Sequence, residues 1–286
     1  FKMISILENQ DNSEINIHIP RSLTGIVDII GQHKSETPCH FMALPNSKVE
    51  LMFLMEGSEF ESFHIDAHKS QFLPNDSNKF VMAFSSQTHP VQAKYRRLNA
   101  INVTMNPVAA MAILEIPAKE IKDLHIEPTA LGNLNQLRDE LTNLETFQQR
   151  AHYLEKFLYN RLYTSKYFNK TQDLIGNVKM LHMGCYSSFL ETEINLDKIY
   201  YSRSHFHRLC KDWLGVTYDE YQLHKKFRKA MYAINHDKLS LTEIAYDLEF
   251  YDSSHLTRTF KRFTGLSPAE YKNSKKGLIP EFVLIE

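Results

Sequence analysis

Cysteine is scarce in this 286-residue chain, which holds only Cys39, Cys185 and Cys210. Odd in number and far apart, they suggest neither a disulfide framework nor a zinc site, so a reducing, cytoplasmic setting is expected. No apolar run is long enough to span a bilayer and no signal peptide is recognisable, so no membrane partner is expected. Neither sign of charge dominates: 33 Lys and Arg face 34 Asp and Glu, for a net charge of −1. A chain-wide basic excess is excluded, and any attraction to nucleic acid must come from local patches. The imbalance between halves is small too, with 17 basic and 19 acidic groups in residues 1–170 and 16 and 15 in residues 171–286. No Ser/His/Asp or Cys/His set, phosphate loop or dinucleotide fingerprint appears, so no catalytic residue, no cofactor and no enzyme activity is expected. Low-complexity segments are absent. Phe1-Lys2 precede Met3, which is read as the natural start.

What the chain does have is concentrated near its end. Leu241, Ile244, Ala245 and Leu248 recur at helical spacing and make one apolar face. A short break at Phe250 follows, after which Ser253 or Ser254 is placed to cap a new helix by accepting a backbone N–H. In that helix Leu256, Phe260 and Phe263 face inward, leaving His255, Thr257, Arg258, Lys261 and Arg262 outside. Gly265 suits a C-cap, and Pro268 opens the next turn or helix. From Leu256 to Lys276 the basic residues are Arg258, Lys261, Arg262, Lys272, Lys275 and Lys276, against the single acid Glu270. Two short helices joined by a tight turn, the second basic on its outer face, can place one helix in a DNA major groove. On periodicity alone, an ordinary amphipathic helix pair with a solvated basic face fits as well.

The residue pattern goes further. Ser240-Leu-Thr-Glu-Ile-Ala, then Phe250, Ser254-His-Leu-Thr-Arg-Thr-Phe-Lys-Arg and Thr264-Gly-Leu-Ser-Pro-Ala-Glu-Tyr271 resemble the signature of the AraC/XylS family of bacterial transcription regulators. Glu249 departs from it, because the family usually has Gly there; the turn must then accept an uncommon backbone angle or differ slightly. Family members carry two such units. Ser202 to Gly215 resembles the first recognition helix, with Phe206, Leu209, Cys210 and Trp213 inward and Arg203, Ser204, His207, Arg208 and Lys211 outward. The scaffold helix before it, with Ile194, Leu196 and Ile199, is a weaker match, since Tyr200-Tyr201 replace the usual turn Gly. Tyr218 to Asn235 reads as one long helix with Tyr221, Phe227, Met231 and Ile234 inward and Lys225, Lys226, Arg228 and Lys229 exposed. In the family that helix is the rod that spaces the two recognition helices.

Carried over position by position, the resemblance implies base-facing roles for Ser204, His207 and Arg208 in the first unit. In the second it implies them for Ser253, Ser254, His255, Thr257 and Arg258. Arg208 and Arg258 lead, because a guanidinium can grip guanine O6 and N7 with two bonds. Lys211, Lys261 and Arg262 are expected on phosphates, which position a protein without reading sequence.

The N-terminal half reads as β-rich. Glu14 to Ile19 alternates strictly, and Ile26 to Ile30, Val49 to Met55, Phe63 to Ala67, Lys79 to Phe84 and Ala100 to Met105 are further strand candidates. Many short strands favour a small barrel or sandwich, with a cupin-like form among the options. After Pro107 the period becomes helical: Pro107 to Ile116, Ala118 to Leu124, Leu134 to Leu144 and Thr146 to Tyr163, the last with a Leu154, Phe157, Leu158, Leu162 stripe for the barrel or a second subunit. Leu98 to Ile121 resembles a segment of uncharacterised N-terminal domains fused to such regulators. His64, Asp66 and His68 would share a strand face, but without the cupin spacing of paired His and Glu no metal is expected. Phe53, Phe63, Phe72, Met82, Phe84 and Tyr95 could line a pocket, ordinary core being their commoner use.

The fold class expected is therefore α+β, a β-rich domain with following helices and then an all-α domain with two helix-turn-helix motifs. The divisions expected are 1–130 as sensor, 131–168 as helical dimerisation or linker segment, 169–276 as DNA-binding domain and 277–286 as tail. The function expected is a sequence-specific regulator of transcription, with double-stranded DNA, a small-molecule effector, a second copy of the chain and RNA polymerase as candidate partners. The rivals are a cupin-like metal- or ligand-binding sensor or enzyme tethered to DNA, and a constitutive DNA-binding dimer without effector.

Overall fold

The computed structural model describes residues 13–46, 48–65, 70–72, 81–85, 88–121, 125–126, 133–177, 202–236, 239–274 and 282–284. Its first half is antiparallel throughout. Strands β1 (Ser13–His18), β2 (Val27–Ser35), β3 (Cys39–Ala43), β4 (Val49–Leu54), β5 (Glu59–Ile65), β6 (Ser70–Phe72), β7 (Val81–Ser85) and β8 (Val91–Met105) precede α1 (Pro107–Ile113), α2 (Ala118–Ile121) and the short β9 (His125–Ile126). Helices α3 (Leu134–Thr142), α4 (Phe147–Thr164) and α5 (Phe168–Asn177) follow. The C-terminal part holds α6 (Arg203–Leu214), α7 (Tyr218–His236), α8 (Leu241–Asp247), α9 (Ser253–Thr264), α10 (Pro268–Asn273) and a last strand, β10 (Phe282–Leu284).

Strand β8, 15 residues long, belongs to two sheets. Its Leu98–Met105 half pairs with β2 and, from Ala100, with β4, in the order β1-β2-β8-β4-β7-β9. Its first half pairs with β3 and β5, in the order β10-β3-β8-β5-β6. Side-chain alternation then builds three layers. On β4, Val49, Leu51 and Phe53 enter a core shared with the helices, whereas Met52 and Leu54 enter a second core with Phe60, Val91, Ala93 and Tyr95. Helices therefore cover one face of the first sheet and the second sheet covers the other. The described strands, all linked through β8, stack as two faces around this second core, as a barrel or sandwich of the expected kind does; the stack is called the sandwich below.

The expected pocket is divided by this arrangement. Phe53 lies on the helix side, Met82, Phe84 and Tyr95 lie between the sheets, and the Phe63 and Phe72 side chains fall outside the described residues. The His64 side chain, Asp66 and His68 also fall outside them. Three strand expectations were too short or displaced: β2 runs on to Ser35, β5 begins at Glu59, and Ala100–Met105 is only the end of β8. Neither β3, β10 nor α5 was anticipated.

Helix ends follow their capping residues. Thr146 and Gln149 form a reciprocal capping box on α4, and Asn106 caps α1 just before Pro107. Leu154, Leu158 and Leu162 of α4 are buried in the sheet–helix core, so the stripe packs on the sandwich. Glu155 fastens the same helix to β1 and the following turn: Oε2 lies 2.6 Å from His18 Nε2, and Oε1 accepts from the Ser22 backbone N–H at 3.0 Å.

That core does not stop at the end of α4. It continues through Leu174 of α5 to Phe206, Cys210, Trp213 and Leu214 of α6 and Tyr221 of α7. Lys119 Nζ of α2 makes a 2.8 Å ion pair with Asp212 of α6 at the edge of the same contact. A separate core holds Phe227, Met231 and Ile234 of α7 with Ile244, Ala245, Leu256, Phe260, Phe263 and Tyr271. No described helix is long and apolar enough to cross a membrane.

Candidate nucleic-acid interface

Two stretches of the C-terminal half are built alike. His205 and His255, Arg208 and Arg258, Lys211 and Lys261, Gly215 and Gly265, and Tyr221 and Tyr271 occupy equivalent places, each pair fifty residues apart. Helices α6 and α9 are both 12 residues long. Each ends on a glycine in the left-handed region, Gly215 at φ 78° and Gly265 at φ 73°, whose N–H donates to the carbonyl of Lys211 or Lys261. Left-handed φ is why glycine serves there. The next helix of each unit starts with a matching cap, Thr217 with Glu220 and Ser267 with Glu270.

The second unit is described completely. Ser240 and Glu243 cap α8 reciprocally. Its C-terminus closes with Phe250 N–H donating to Ala245 O at 2.8 Å and Glu249 N–H donating to Tyr246 O at 3.0 Å. This is a Schellman closure, and the residue it places in the left-handed region is Glu249, at φ 56°. The departure noted in the sequence thus has the backbone angle anticipated for it. Lys226 of α7 braces the turn, donating from Nζ to the Glu249 carbonyl at 3.0 Å and lying 3.3 Å from its carboxylate.

One expectation is corrected here. Neither Ser253 nor Ser254 caps α9; Asp252 does, its Oδ1 accepting from the His255 backbone N–H at 2.6 Å. Asp satisfies the same orphan donor as Ser and adds a negative charge at the positive end of the helix. Ser253 is therefore the first helical residue and half-buried.

Leu256, Phe260 and Phe263 pack into the second core, which leaves Ser254, Arg258, Lys261 and Arg262 exposed along one side of α9. On α6, Phe206, Cys210 and Trp213 are buried while Ser204, Arg208 and Lys211 are exposed. Burial pushes the Cys210 thiol up to about 12, as suits a core residue rather than a reactive one. Lys211, Arg258 and Lys261 are exposed, while Arg208 Nη2 donates to His205 Nδ1 at 3.1 Å and the Arg262 guanidinium lies 5.6 Å over the Phe263 ring.

The remaining candidates are half-buried and partly engaged within the protein. His207 sits at the margin of the α6 face. The His255 ring packs edge-on against Phe250, with centroids 5.4 Å apart, and Nδ1 accepts from the Tyr251 N–H at 3.4 Å. Thr257 turns its hydroxyl back onto the Ser253 carbonyl at 2.8 Å. The Arg203 side chain and the weaker scaffold helix with Ile194, Leu196, Ile199, Tyr200 and Tyr201 lie outside the described residues. Lys225, Lys226, Arg228 and Lys229, expected to be exposed, are half-buried, because α7 packs on both cores.

Sequence reading passed over Tyr251, which directly precedes the α9 cap and is 92% exposed. Its place between Phe250 and Asp252, in the short break before α9, was the local signal for it. Among the described residues no group of three or more His, Cys, Asp or Glu is placed to hold a metal.

Residues 196–274 match the family model described as "Helix-turn-helix domain". The C-terminal part of the chain is thus a helix-turn-helix domain of the AraC type, as its residues suggested. No curated protein matches the sequence. Solved structures similar to the chain include ToxT from Vibrio cholerae, at 11% identity over 92% of this chain and 98% of that one, with a TM-score of 0.40. ToxT bound to (E)-4-(8-methylnaphthalen-1-yl)but-3-enoic acid matches at 12% identity over the same shares, also with a TM-score of 0.40. Unsaturated fatty acid-bound ToxT matches at 14% identity over 92% and 96%, with a TM-score of 0.34. At these scores the likeness assigns neither a ligand nor an arrangement of domains to this chain.

Proposed function

We propose that the protein is a sequence-specific regulator of transcription whose helices α6 and α9 each enter one major groove. The carrying observation is the sidedness of the two helices. Each buries its aromatic or aliphatic stripe and turns an exposed arginine and lysine outward at equivalent positions, Arg208 with Lys211 and Arg258 with Lys261. In this reading Arg208 and Arg258, with Ser204, Ser254 and parts of His207, Ser253, His255 and Thr257, meet base edges. Lys211, Lys261 and Arg262 meet phosphates.

The rod that separates the helices supports the same reading. Helix α7 has 19 residues, about 28 Å of length at roughly 1.5 Å per residue. Successive grooves on one face of DNA lie about 34 Å apart, and the widths of α6 and α9 supply the difference.

The N-terminal sandwich is assigned the regulatory role. One core runs unbroken from its first sheet to Cys210 and Trp213 of α6, so a change in sheet packing reaches the first reading helix through direct contact. A small-molecule effector would regulate only if it favoured one such packing over another. A second copy of the chain and RNA polymerase complete the proposed partners.

Replacing Arg258 by Ala tests base reading. The expected outcome is a loss of about 1–3 kcal/mol on a selected site, with relaxed preference at one base pair. Equal loss on random DNA would contradict it. Lys261→Ala should weaken both alike and flatten the dependence of affinity on salt.

A further inference from the structure

The chain does not end at its DNA-binding domain. After α10 it returns to the N-terminal half, where β10 pairs antiparallel with β3 in the register Phe282↔Ala43, Val283↔Met42 and Leu284↔Phe41. Strand β3 has two sides. Cys39, Phe41 and Ala43 pack against the core between the sheets. Met42 and the following Leu44 are buried instead among Phe227, Met231, Phe260 and Phe263, inside the core of the second unit. One residue further, the Pro45 carbonyl accepts a 3.0 Å hydrogen bond from Nε2 of buried His224 on α7. The His224 ring in turn stands edge-on to Phe263 of α9, with centroids 5.4 Å apart. Residues 39–45 therefore touch the segment after α10 through the strand edge, the second core through two apolar side chains, and α7 through one carbonyl.

We propose that β10 is a strap: it holds the unit formed by α8, α9 and α10 against the N-terminal sheet, and so governs how that unit engages DNA. The unit is attached to the rest of the molecule at two ends. Through α7 it continues into Tyr221, which lies in the sheet–helix core. Through β10 it is paired to the strand whose Met42 is already part of its own core. A strand of three residues is a short ladder, strong enough to bias a contact and weak enough to be released. It also covers the β3 edge, which would otherwise present unpaired backbone groups. Without β10, β3 would be held by β8 on one side alone, and Met42 and Leu44 would wall the second core from a less firmly held strand.

The proposal rests on α9 being a DNA reader, but its first test does not. The full-length chain and a chain ending at Glu281 are compared by amide hydrogen exchange. Without the strap, amides in the second half of α7 and in α9 should exchange at least tenfold faster, while α1 and α6, in the other core, keep their rates. Acceleration confined to β3 would make β10 a mere edge cover and overturn the proposal. Uniform acceleration, α1 and α6 included, would overturn it too, by marking β10 as a general part of the fold. The second test uses the intact chain and a duplex enriched by it from a random pool. At saturation the duplex should change exchange of amides 39–43 at least threefold, because coupling between two sites is reciprocal; a smaller change overturns the link to DNA. If no duplex is enriched, the DNA reading itself fails, and the first comparison still decides the strap.

Discussion

Glu50 carries the clearest physical consequence of any single residue. It is half-buried beside Asp28 and Lys48, with Thr104 Oγ1 donating to it at 2.8 Å. Lys48 Nζ lies 2.7 Å from Asp28 Oδ2, and both side chains are nearly inaccessible. Burial pushes the Glu50 carboxyl up to about 7, with the neighbouring Asp28 adding to the rise. The folded chain then keeps a proton that the unfolded chain releases near 4.5. Stability from this group is full below that point, falls as pH rises toward 7 and stays low above it. Glu50→Gln should therefore leave stability nearly unchanged at pH 4 and raise it at pH 8 by roughly 3 kcal/mol at most. Urea unfolding at the two pH values checks this, and an equal effect at both would contradict it. Nothing in the sequence marked Glu50, because its burial depends on partners in β2 and β8. Arg208 and Arg258, by contrast, were legible, since each lies opposite an apolar stripe that the local period reveals.

Among the elements, the turn between α8 and α9 was the most readable and β10 the least. The turn joins residues adjacent in sequence, so its closure by Phe250 and the left-handed angle at Glu249 follow from local pattern. Glu249→Gly should relieve the left-handed angle while leaving the Lys226 bond to the carbonyl available. The carboxylate contact it removes is exposed and worth little. A net gain of about 0.5–1 kcal/mol is expected, read as a higher Tm with DNA affinity unchanged. A lower Tm would show that the Lys226–Glu249 contact outweighs the strain. Strand β8 was half legible: Val91, Ala93 and Tyr95 alternate with Gln92, Lys94 and Arg96, but Ala, Lys and Arg are weak strand formers that hide the pattern. For β10 the apolar run Phe282-Val-Leu was too short a signal, because three residues form a strand only against Cys39–Ala43, more than two hundred positions away. The cap of α9 fell between these cases: a capping residue was evident, and the choice of Asp252 over the adjacent serines was settled by where the chain turns.

At the scale of the whole molecule, two stretches of similar build, one around α6 and one around α9, belong to two different cores. The first stretch shares its interior with the sandwich, and the second has its own, entered from the sandwich, among the described residues, by Met42 and Leu44. Sequence could suggest two such units, but not that α6 is continuous with the N-terminal half. That continuity comes from contacts of α1 and α2 with α6, and short apolar helices such as Pro107–Ile113 do not announce their partners. Near-neutral net charge is compatible with DNA binding here because the cations of α6 and α9 lie outside while the acids of the same helices are few. Hydroxyl-radical footprinting of the full-length protein on a duplex enriched from a random pool tests the central claim most directly. Two protected segments are expected on one face of the duplex, one helical turn apart at about 10–10.5 base pairs, with the segment read by α9 lost selectively in Arg258→Ala. A single protected segment that Arg258→Ala leaves intact would contradict it.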